Sequence, residues 1–375
     1  MKKVTILALH LGYGGVENAV STLANLLCEK YEVEILSVYR LYKDPAFKIN
    51  EKVKVTYLTN LRPNKKEMFY YLKRKNFKLF FKGIKKSAEV GYAKYIKTSL
   101  ILRKLDSDVV ISTKIVHNFL VSLFVKKRIV KIAWEHNHHN NRKKYIRALV
   151  ASCKRLDYLV LVSDELTQYY KKYLQNKAIY ISHSLDNYPA KASKLDSDNL
   201  VAIGRLSLEK GFDDLLKLFK ELTLNHPTWK LNLIGDGMQR NNLMDLAEEL
   251  QLGDKVIFHG YQNKDYINEI LLNSSICLMT SHTESFGLVL VEAFSYGVPC
   301  IAYDSAQGAN EIIEDGVNGY LIKNRNKQAM IEKIDLLIKD EKLRKKLGKK
   351  ARESAKDYSS PPVLAKWSQI INIKK

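Results

Sequence analysis

The feature that most constrains the fold of this chain is an alternation of short apolar runs with segments of helical periodicity. In the first half, apolar and β-prone runs lie at residues 4–9, 33–39, 108–112, 131–134 and 158–162. After the first run, residues 16–30 place apolar side chains three and four positions apart, as an amphipathic helix does. Continuous apolar strands that alternate with helices are typical of a parallel sheet covered on both faces. The first half is therefore predicted to be a Rossmann-like α/β domain.

The same pattern restarts after a polar stretch at residues 188–199. Its apolar runs lie at residues 200–203, 230–234, 256–258, 276–279 and 300–303. A chain of 375 residues is too long for one ordinary core and fits two domains of about 180 residues each. We therefore expect one domain at residues 1–187, a second at residues 188–360, and a last helix within residues 361–375.

The positive charge of the chain is concentrated in its first half. Residues 1–190 hold 36 Lys and Arg against 15 Asp and Glu, and the rest of the chain holds 26 against 25. The segment from Arg62 to Lys104 alone has 14 basic residues, two acidic residues and eight aromatic residues. This composition fits a helical insertion that packs its aromatic residues on its own domain, a patch that binds an anionic membrane surface, or an RNA-binding segment.

Cysteine usage and hydropathy indicate the redox compartment of the protein and its relation to membranes. The four cysteines are far apart and form no CxxC pair, so neither a disulfide framework nor a zinc site is indicated, and a reducing cytoplasm fits best. No stretch of the sequence reaches the roughly 18 to 20 apolar residues that a spanning helix needs. We expect a soluble or peripheral protein.

Two carboxylates eight residues apart, Glu284 and Glu292, flank a Phe286-Gly287 pair directly after the apolar run 276–279. A helix that begins near Gly287 would leave Glu284 on the preceding loop and Glu292 on an early turn, with free backbone N–H groups between them. Such a helix start binds phosphate or sugar oxygens, and a carboxylate beside it accepts hydroxyl protons. The alternative is an ordinary capped helix that has acidic residues in its first turns and binds no ligand.

A second cluster, GRLSLEKG at residues 204–211, follows an apolar run and precedes a helical segment. In open α/β sheets, ligands lie at the carboxyl ends of the strands. There, Arg205 and Lys210 could neutralise a diphosphate in place of a metal. A solvated basic loop is the alternative.

Two further loops follow strands in the first half. The GYGG sequence at residues 12–15 lacks the GxGxxG spacing, which weakens a dehydrogenase interpretation. The loop at residues 134–141 is rich in histidine and includes His136, which suits acid–base chemistry, hydrogen bonds to sugar hydroxyls or metal ligation. Because its imidazoles are bunched on one loop, we expect no metal site.

Taken together, seven ordered motifs resemble family 4 glycosyltransferases of the GT-B fold. They are Gly14-Gly15, the His136 loop, residues 204–211, residues 235–237, residues 259–261, residues 284–293 and residues 315–319. The resemblance spans almost the whole chain and is most specific between Gly204 and Tyr320. It implies two Rossmann-like domains that face each other across a cleft, with a carboxyl-terminal helix that returns to the first domain.

The resemblance also implies roles for single residues. Arg205 and Lys210 would bind the donor diphosphate and remove the need for a metal or other cofactor, Glu284 would hold hydroxyls of the transferred sugar, and Glu292 would bind the ribose. His136 would line the reaction centre and is counted, with Arg205, Lys210 and Glu284, among the catalytic candidates. The remaining donor-binding candidates are Gly14, Gly15, Gly235, Tyr261, Ser285, Phe286, Gly287 and Leu288. One departure is His183, where similar chains usually carry an asparagine.

The function implied by this resemblance is a retaining transfer of a hexose or N-acetylhexosamine, from a UDP-sugar to a lipid-linked glycan or a cell-surface polysaccharide precursor. The first domain would bind the acceptor and the second the donor. We expect the protein to be cytoplasmic, to lie at the inner face of the cell membrane through the segment from Arg62 to Lys104, and to bind no nucleic acid. The alternatives are a nucleotide-sugar epimerase of the same fold and a non-catalytic protein that binds nucleotide sugars.

Overall fold

A computed structural model describes residues 1–373 of the chain, without the side chains of Lys65 and Lys66. These residues form two compact units. The first unit consists of residues 1–184 together with the carboxyl-terminal segment from Pro361 onward, and the second consists of residues 185–360. Lys374 and Lys375, which end the predicted last helical segment, lie outside the described residues.

The first unit is built around a parallel sheet. Within the described residues its strands are β1 (Lys3–Ala8), β2 (Glu32–Tyr39), β3 (Lys54–Thr59), β4 (Val109–Ser112), β5 (Val130–Glu135), β6 (Tyr158–Leu161) and β7 (Ala178–Tyr180), in the spatial order β3-β2-β1-β4-β5-β6-β7. Its helices are α1 (Gly15–Leu27), α2 (Lys65–Lys73), α3 (Phe77–Tyr92), α4 (Thr98–Arg103), α5 (Ile115–Phe124), α6 (Lys143–Cys153) and α7 (Asp164–Leu174). The predicted parallel α/β architecture is confirmed.

The second unit repeats this architecture with a smaller sheet. Its strands in the described chain are β8 (Asn199–Ile203), β9 (Lys230–Ile234), β10 (Val256–Gly260), β11 (Ile276–Met279), β12 (Cys300–Tyr303) and β13 (Gly319–Ile322), in the order β10-β9-β8-β11-β12-β13. Its helices are α8 (Phe212–Asn225), α9 (Arg240–Glu249), α10 (Lys264–Leu272), α11 (Leu288–Ser295), α12 (Ala309–Ile312), α13 (Lys327–Lys339) and α14 (Glu341–Ser354).

Both sheets are parallel throughout, so the carboxyl ends of their strands meet at one edge of each sheet. The central strands β11 and β12 of the second sheet are fully buried, and Leu231, Leu278 and Ile301 share one apolar core with Leu215 and Phe219 of α8. Since packing fixes the strands, the loops at the carboxyl edge are held by a rigid base.

The last helix, α15, spans Ser360–Ile371 and has two prolines, Pro361 and Pro362, inside its first turn. A proline is tolerated there since the first N–H groups of a helix have no intrahelical partner. Trp367 of α15 is fully buried and meets the edge of Trp134, with ring centroids 5.4 Å apart. This contact attaches the end of the chain to the first unit.

The basic segment between β3 and β4 is helical. It comprises α2, α3, a π-turn at Ala93–Lys97 and α4. The amide Nδ2 of Asn64 donates to the carbonyl of Gly83 at 2.9 Å, and Ser87 donates to Oδ1 of Asn64 at 2.7 Å. These bonds pack one face of α3 on the start of α2. In the part of the chain that the structure describes, no helix has both the length and the apolar character required to cross a membrane.

Candidate active site

The loop that carries Glu284 connects β11 to α11. Gly287 precedes the first residue of α11 and has a φ of 89°, a left-handed conformation that glycine adopts without steric cost. The turn allows α11 to begin at Leu288, so Glu292 lies in the second turn of the helix and Glu284 on the loop before it. The predicted helix start near Gly287 is confirmed.

Glu284 forms an ion pair with Lys210. The ammonium of Lys210 donates to Oε2 of Glu284, and each side chain is only about a fifth exposed. The other oxygen, Oε1, accepts from the backbone N–H of Ser285 at 3.2 Å. The backbone of Glu284 is held as well, since Gly308 donates its N–H to the Glu284 carbonyl at 2.9 Å. The carboxylate is therefore fixed at a defined position beside a cation.

Glu292 is paired with a lysine that the sequence motifs did not single out. Lys264, the first residue of α10, donates to Oε1 of Glu292 and lies 3.7 Å from Oδ2 of Asp186. Burial lowers the pKa of the Lys264 ammonium, but the carboxylates of Glu292 and Asp186 more than offset this, and the pKa is raised above its ordinary value. Lys264 is therefore a firmly charged partner for Glu292.

The other donor-site candidates of the second unit lie at the same sheet edge. Arg205 follows β8 and its side chain is exposed. Gly235 follows β9 and donates its backbone N–H to the carbonyl of Gly260 at 2.9 Å, which joins the ends of β9 and β10. Tyr261, directly after β10, is half exposed. Phe286 is buried and packs edge-on against Tyr358, with ring centroids 5.7 Å apart.

The first unit holds the remaining candidates, also at the carboxyl edge of its sheet. Gly14 and Gly15 lie at the start of α1, where Nδ1 of His10 is 3.5 Å from Oε1 of Glu17. His136 follows β5 and is buried. Its backbone N–H donates to Oε1 of Glu135 at 2.9 Å, which is one of the bonds that shape the histidine-rich loop.

The His136 ring lies on a second histidine. His183, the departure noted above, stacks on His136 with centroids 5.3 Å apart and ring planes within 9°. Burial lowers the pKa of both imidazoles, in the case of His183 to about 4. Both rings are therefore neutral at pH 7. The contact between His183 and His136 is a stacking contact between two uncharged rings.

The structure thus brings together Arg205, Lys210, Gly235, Tyr261, Ser285, Phe286, Gly287, Leu288, Glu284 and Glu292 at one edge of the second sheet. It places Gly14, Gly15 and His136 in the first unit. Among residues 1–373, no cluster of three or more His, Cys, Asp or Glu is arranged to hold a metal ion. The cations paired with Glu284 and Glu292 are Lys210 and Lys264, so this edge of the sheet presents ammonium and carboxylate groups side by side. Ammonium groups can contact an anion, and carboxylates can accept hydrogen bonds from hydroxyl groups.

Sequence reasoning missed Lys264 and did not use Arg325, which donates to the loop that precedes Glu284. Both contacts join segments far apart in sequence, so residue spacing does not reveal them. One local feature could have drawn attention to Lys264. It lies three residues after Tyr261 at the start of α10, and Asn263 caps this helix by accepting from the N–H of Tyr266 at 2.9 Å.

Comparison with known proteins identifies a family and several relatives that this chain resembles. Residues 186–354 match the family described as Glycosyl transferases group 1. The chain is 29% identical to an uncharacterized glycosyltransferase of Haemophilus influenzae over 385 aligned residues, covering 99% of this chain and all of that protein.

A second relative, from Campylobacter jejuni, is 26% identical over 380 residues, with 99% of this chain and 98% of that protein covered. Its name is GalNAc-alpha-(1->4)-GalNAc-alpha-(1->3)-diNAcBac-PP-undecaprenol alpha-1,4-N-acetyl-D-galactosaminyltransferase.

Among solved structures, a variant of S. aureus TarM in complex with Fondaparinux, alpha-GlcNAc-glycerol and UDP superimposes with a TM-score of 0.78 at 16% identity, covering all of both chains. Two parallel α/β sheets and this likeness identify the GT-B fold. Residues 186–354 thus match the group 1 glycosyl transferases, and over its whole length the chain is similar to a protein named as a glycosyltransferase.

Proposed function

We propose that this protein transfers a hexose or N-acetylhexosamine from a UDP-sugar to a lipid-linked glycan or a cell-surface polysaccharide precursor, with retention of the donor's anomeric configuration. The observation that carries the proposal is the Lys210–Glu284 pair beside the start of α11, with Glu292 one turn further along that helix. It offers a cation and backbone N–H groups to a phosphate, and carboxylates to sugar hydroxyls.

In this proposal the donor diphosphate binds to Arg205 and Lys210. The two cations stabilise the negative charge that develops on the phosphate oxygen as its bond to the sugar C1 breaks. Their charge takes the place of a metal ion. The helix start at Gly287 and Leu288 adds backbone N–H groups on the same side.

The two carboxylates orient the rest of the donor. Glu284 accepts hydrogen bonds from hydroxyls of the transferred sugar, while Glu292 accepts from the ribose. Lys264 donates to the Glu292 carboxylate and holds it in place, and the raised pKa of Lys264 keeps this partner a cation. A held carboxylate positions a hydroxyl with little loss of side-chain entropy on binding.

The proposed chemical step occurs on one face of the sugar. The bond from C1 to the phosphate oxygen breaks, the acceptor oxygen forms a new bond to C1 on the same side, and the acceptor proton passes to the departing phosphate. This route retains the anomeric configuration without a protein nucleophile. His136, neutral and buried, is proposed to line the acceptor side.

The choice of donor and acceptor rests on the named relatives. The Campylobacter jejuni relative is named for a substrate linked to undecaprenol through a diphosphate, and the TarM structure contains UDP. We extend both to this chain as a UDP-sugar donor and a lipid-linked or polysaccharide acceptor.

The membrane part of the proposal rests on one face of α3. Phe77, Phe81 and Ile84 are four and three residues apart and are 56%, 65% and 41% exposed. Lys78, Lys82 and Lys85 repeat the same spacing one residue on and are also exposed. Apolar and cationic stripes side by side match a surface of anionic lipid, and this match supports the proposal that the protein lies at the cytoplasmic face of the membrane as a peripheral protein.

The enzyme assignment is tested by nucleotide release from a panel of UDP- and GDP-sugars, with and without extracted membrane lipids. The intact protein is compared with Glu284→Ala and Lys210→Ala. The matched control is Lys327→Ala, which breaks the exposed Lys327–Glu221 pair of the same unit. We expect lipid-stimulated release from one UDP-sugar, lost in the two site variants and kept in the control. Release that survives in both site variants would refute the site.

A further inference from the structure

We infer that Arg325 is a positioning residue that sets the spacing between Lys210 and Glu284, and so determines how the site holds a diphosphate-linked sugar. The inference rests on the proposed function only for that last consequence. Arg325 lies in the connection between β13 and α13, more than 40 residues from Glu284 in sequence. It belongs to none of the motifs from which the site was predicted.

The guanidinium of Arg325 bonds to three segments at once. Its Nη1 donates to the carbonyls of Thr280 and Ser281, at 2.9 and 3.0 Å, and to Oγ of Ser305 at 2.9 Å. Its Nη2 donates to Oδ2 of Asp214 in the first turn of α8, at 2.5 Å. A planar guanidinium can satisfy such a set of acceptors together, and a lysine ammonium cannot do so in the same geometry.

The guanidinium is also held from a further side. Its central carbon lies 4.5 Å from the centroid of the Tyr303 ring, at the end of β12. Ser305 in turn donates to the carbonyl of Ser281 at 2.8 Å. The Arg325 side chain is only about a fifth exposed, so these bonds are largely protected from water.

Two acceptors of Arg325, the carbonyls of Thr280 and Ser281, belong to the loop that carries Glu284. Thr280 opens the loop that leads to Glu284, and its Oγ1 donates to the carbonyl of Gly211 at 2.8 Å. The N–H of His282 donates to the carbonyl of Glu209 at 2.8 Å. Residues 280–282 are thus bonded to residues 209–211 on one side and to Arg325 on the other.

Residues 209–211 and residues 280–282 form a closely packed junction, which makes the position of each segment sensitive to a shift of the other. A Cβ at Gly211 would lie 2.4 Å from the carbonyl oxygen of Thr280, so the two backbones touch where Lys210 and the Glu284 loop meet. Loss of the Arg325 bonds would leave two carbonyls of the Glu284 loop without these donors. The loop would then be free to shift relative to Lys210.

The backbone that delivers Arg325 is itself unusual. Asn324 and Arg325 have φ values of 55° and 49°, so two consecutive residues other than glycine are left-handed. An asparagine tolerates this conformation, whereas for an arginine it is unfavourable and persists only where surrounding contacts hold it. The contacts of the guanidinium are the ones that hold it here.

The test compares Arg325→Ala and Arg325→Lys with Lys323→Ala, an exposed side chain on the same turn. Hydrogen exchange of backbone amides at residues 208–211 and 282–288 reports the junction without any donor. We expect Arg325→Ala to speed exchange in these segments about tenfold or more, with other strands of the second unit unchanged. Lys323→Ala should match the intact protein.

Activity and thermal stability separate positioning from simple stabilisation. Arg325→Lys keeps the charge opposite Asp214, so we expect it to restore Tm to the intact value while kcat/KM for the UDP-sugar stays about tenfold to a hundredfold low. Exchange rates at residues 282–288 that remain unchanged in Arg325→Ala, or activity that returns together with Tm in Arg325→Lys, would overturn the inference. An intact protein that releases no nucleotide from any donor would instead refute the proposed function, and the exchange comparison would still decide the role of Arg325.

Discussion

Glu284 and Glu292 each meet one lysine, and the two ion pairs differ in the part of the donor that they are proposed to hold. Lys210 pairs with Glu284 on the loop before α11, where the proposal places the diphosphate and the transferred sugar. Lys264 pairs with Glu292 inside α11, where the proposal places the ribose. In the proposed reaction, negative charge develops on the diphosphate beside Lys210, and no charge develops at the ribose beside Lys264.

This difference predicts a split in the kinetics of two variants. Lys210→Met removes a cation that acts on developing charge, and we expect kcat to fall on the order of 100-fold. Lys264→Met removes support for a group remote from the reacting atoms, so we expect KM for the UDP-sugar to rise about tenfold with kcat nearly unchanged. Initial-rate kinetics over a range of donor concentrations distinguish these patterns, and a loss of kcat in Lys264→Met would contradict the ribose assignment.

A buried histidine gives the first unit a predictable dependence on pH. His117 of α5 is fully buried, and this burial, together with Lys94 and Lys114, lowers its pKa to about 4. In the unfolded chain its pKa is about 6.5. Between these values the unfolded chain binds more protons than the folded chain, so stability is full above about pH 6.5 and falls as the pH drops toward 4.

The variant His117→Leu should lose this dependence. We expect the free energy of unfolding of the intact protein to decrease by about 2 kcal/mol more than that of the variant between pH 7 and pH 5. Urea unfolding at both pH values measures the difference. Equal decreases in the two proteins would show that His117 does not titrate as its burial requires.

Residues that follow a local pattern could be located in the fold from the sequence. Lys210, Glu284 and Glu292 stand at fixed distances from glycines and from the ends of apolar runs, so spacing alone placed them at a sheet edge. Lys264 and Arg325 act through partners 28 and 45 residues away. Their importance depends on which strands become neighbours, and that order is a property of the folded sheet.

At the scale of helices and strands, prediction succeeded where burial was complete on both faces. The strands at residues 109–112 and 276–279 are entirely apolar or small and fully buried. β3 was missed because it is an edge strand, with a mixed polar sequence and only partial burial. The last helix, α15, contains two prolines in its first turn, a position where the missing N–H of proline breaks no intrahelical bond.

Helix α3 supports a direct test of the membrane proposal. Substitution of Lys78, Lys82 and Lys85 by Gln removes three charges near the proposed lipid surface, each worth about 1 kcal/mol, so we expect binding to weaken about 100-fold. Sedimentation with phosphatidylcholine vesicles, with and without phosphatidylglycerol, measures the effect.

The chain provides a control with the same geometry. Lys342, Lys346 and Lys349 are exposed on α14 of the second unit and have the same spacing along a helix. Their substitution by Gln changes the net charge equally. If both triple variants lose the same affinity for anionic vesicles, net charge rather than the α3 surface is responsible, and the proposed membrane face is wrong.

For the whole molecule, charge and chemistry are divided between the two units. Residues 1–190 carry most of the net positive charge, together with the exposed aromatic and basic helices, while the second unit carries the acidic and basic residues of the proposed donor site. This division fits an enzyme that meets a membrane-bound acceptor with one unit and a soluble nucleotide sugar with the other. The family match over residues 186–354 and the likeness to solved structures support a glycosyltransferase, and the identity of the sugar depends on a few hydroxyl contacts that spacing does not encode.

The most direct test of this account is mass spectrometry of membrane lipids and glycans after incubation with the intact protein and each UDP-sugar, with Glu284→Ala in parallel. If the proposed transfer takes place, one UDP-sugar increases the mass of a lipid-linked glycan or polysaccharide precursor by one sugar residue and UDP is released in equal amount, while Glu284→Ala does neither. If UDP binds tightly while no lipid or glycan gains mass and no donor releases UDP, the protein binds nucleotides without transferring sugars, and the proposed function is contradicted.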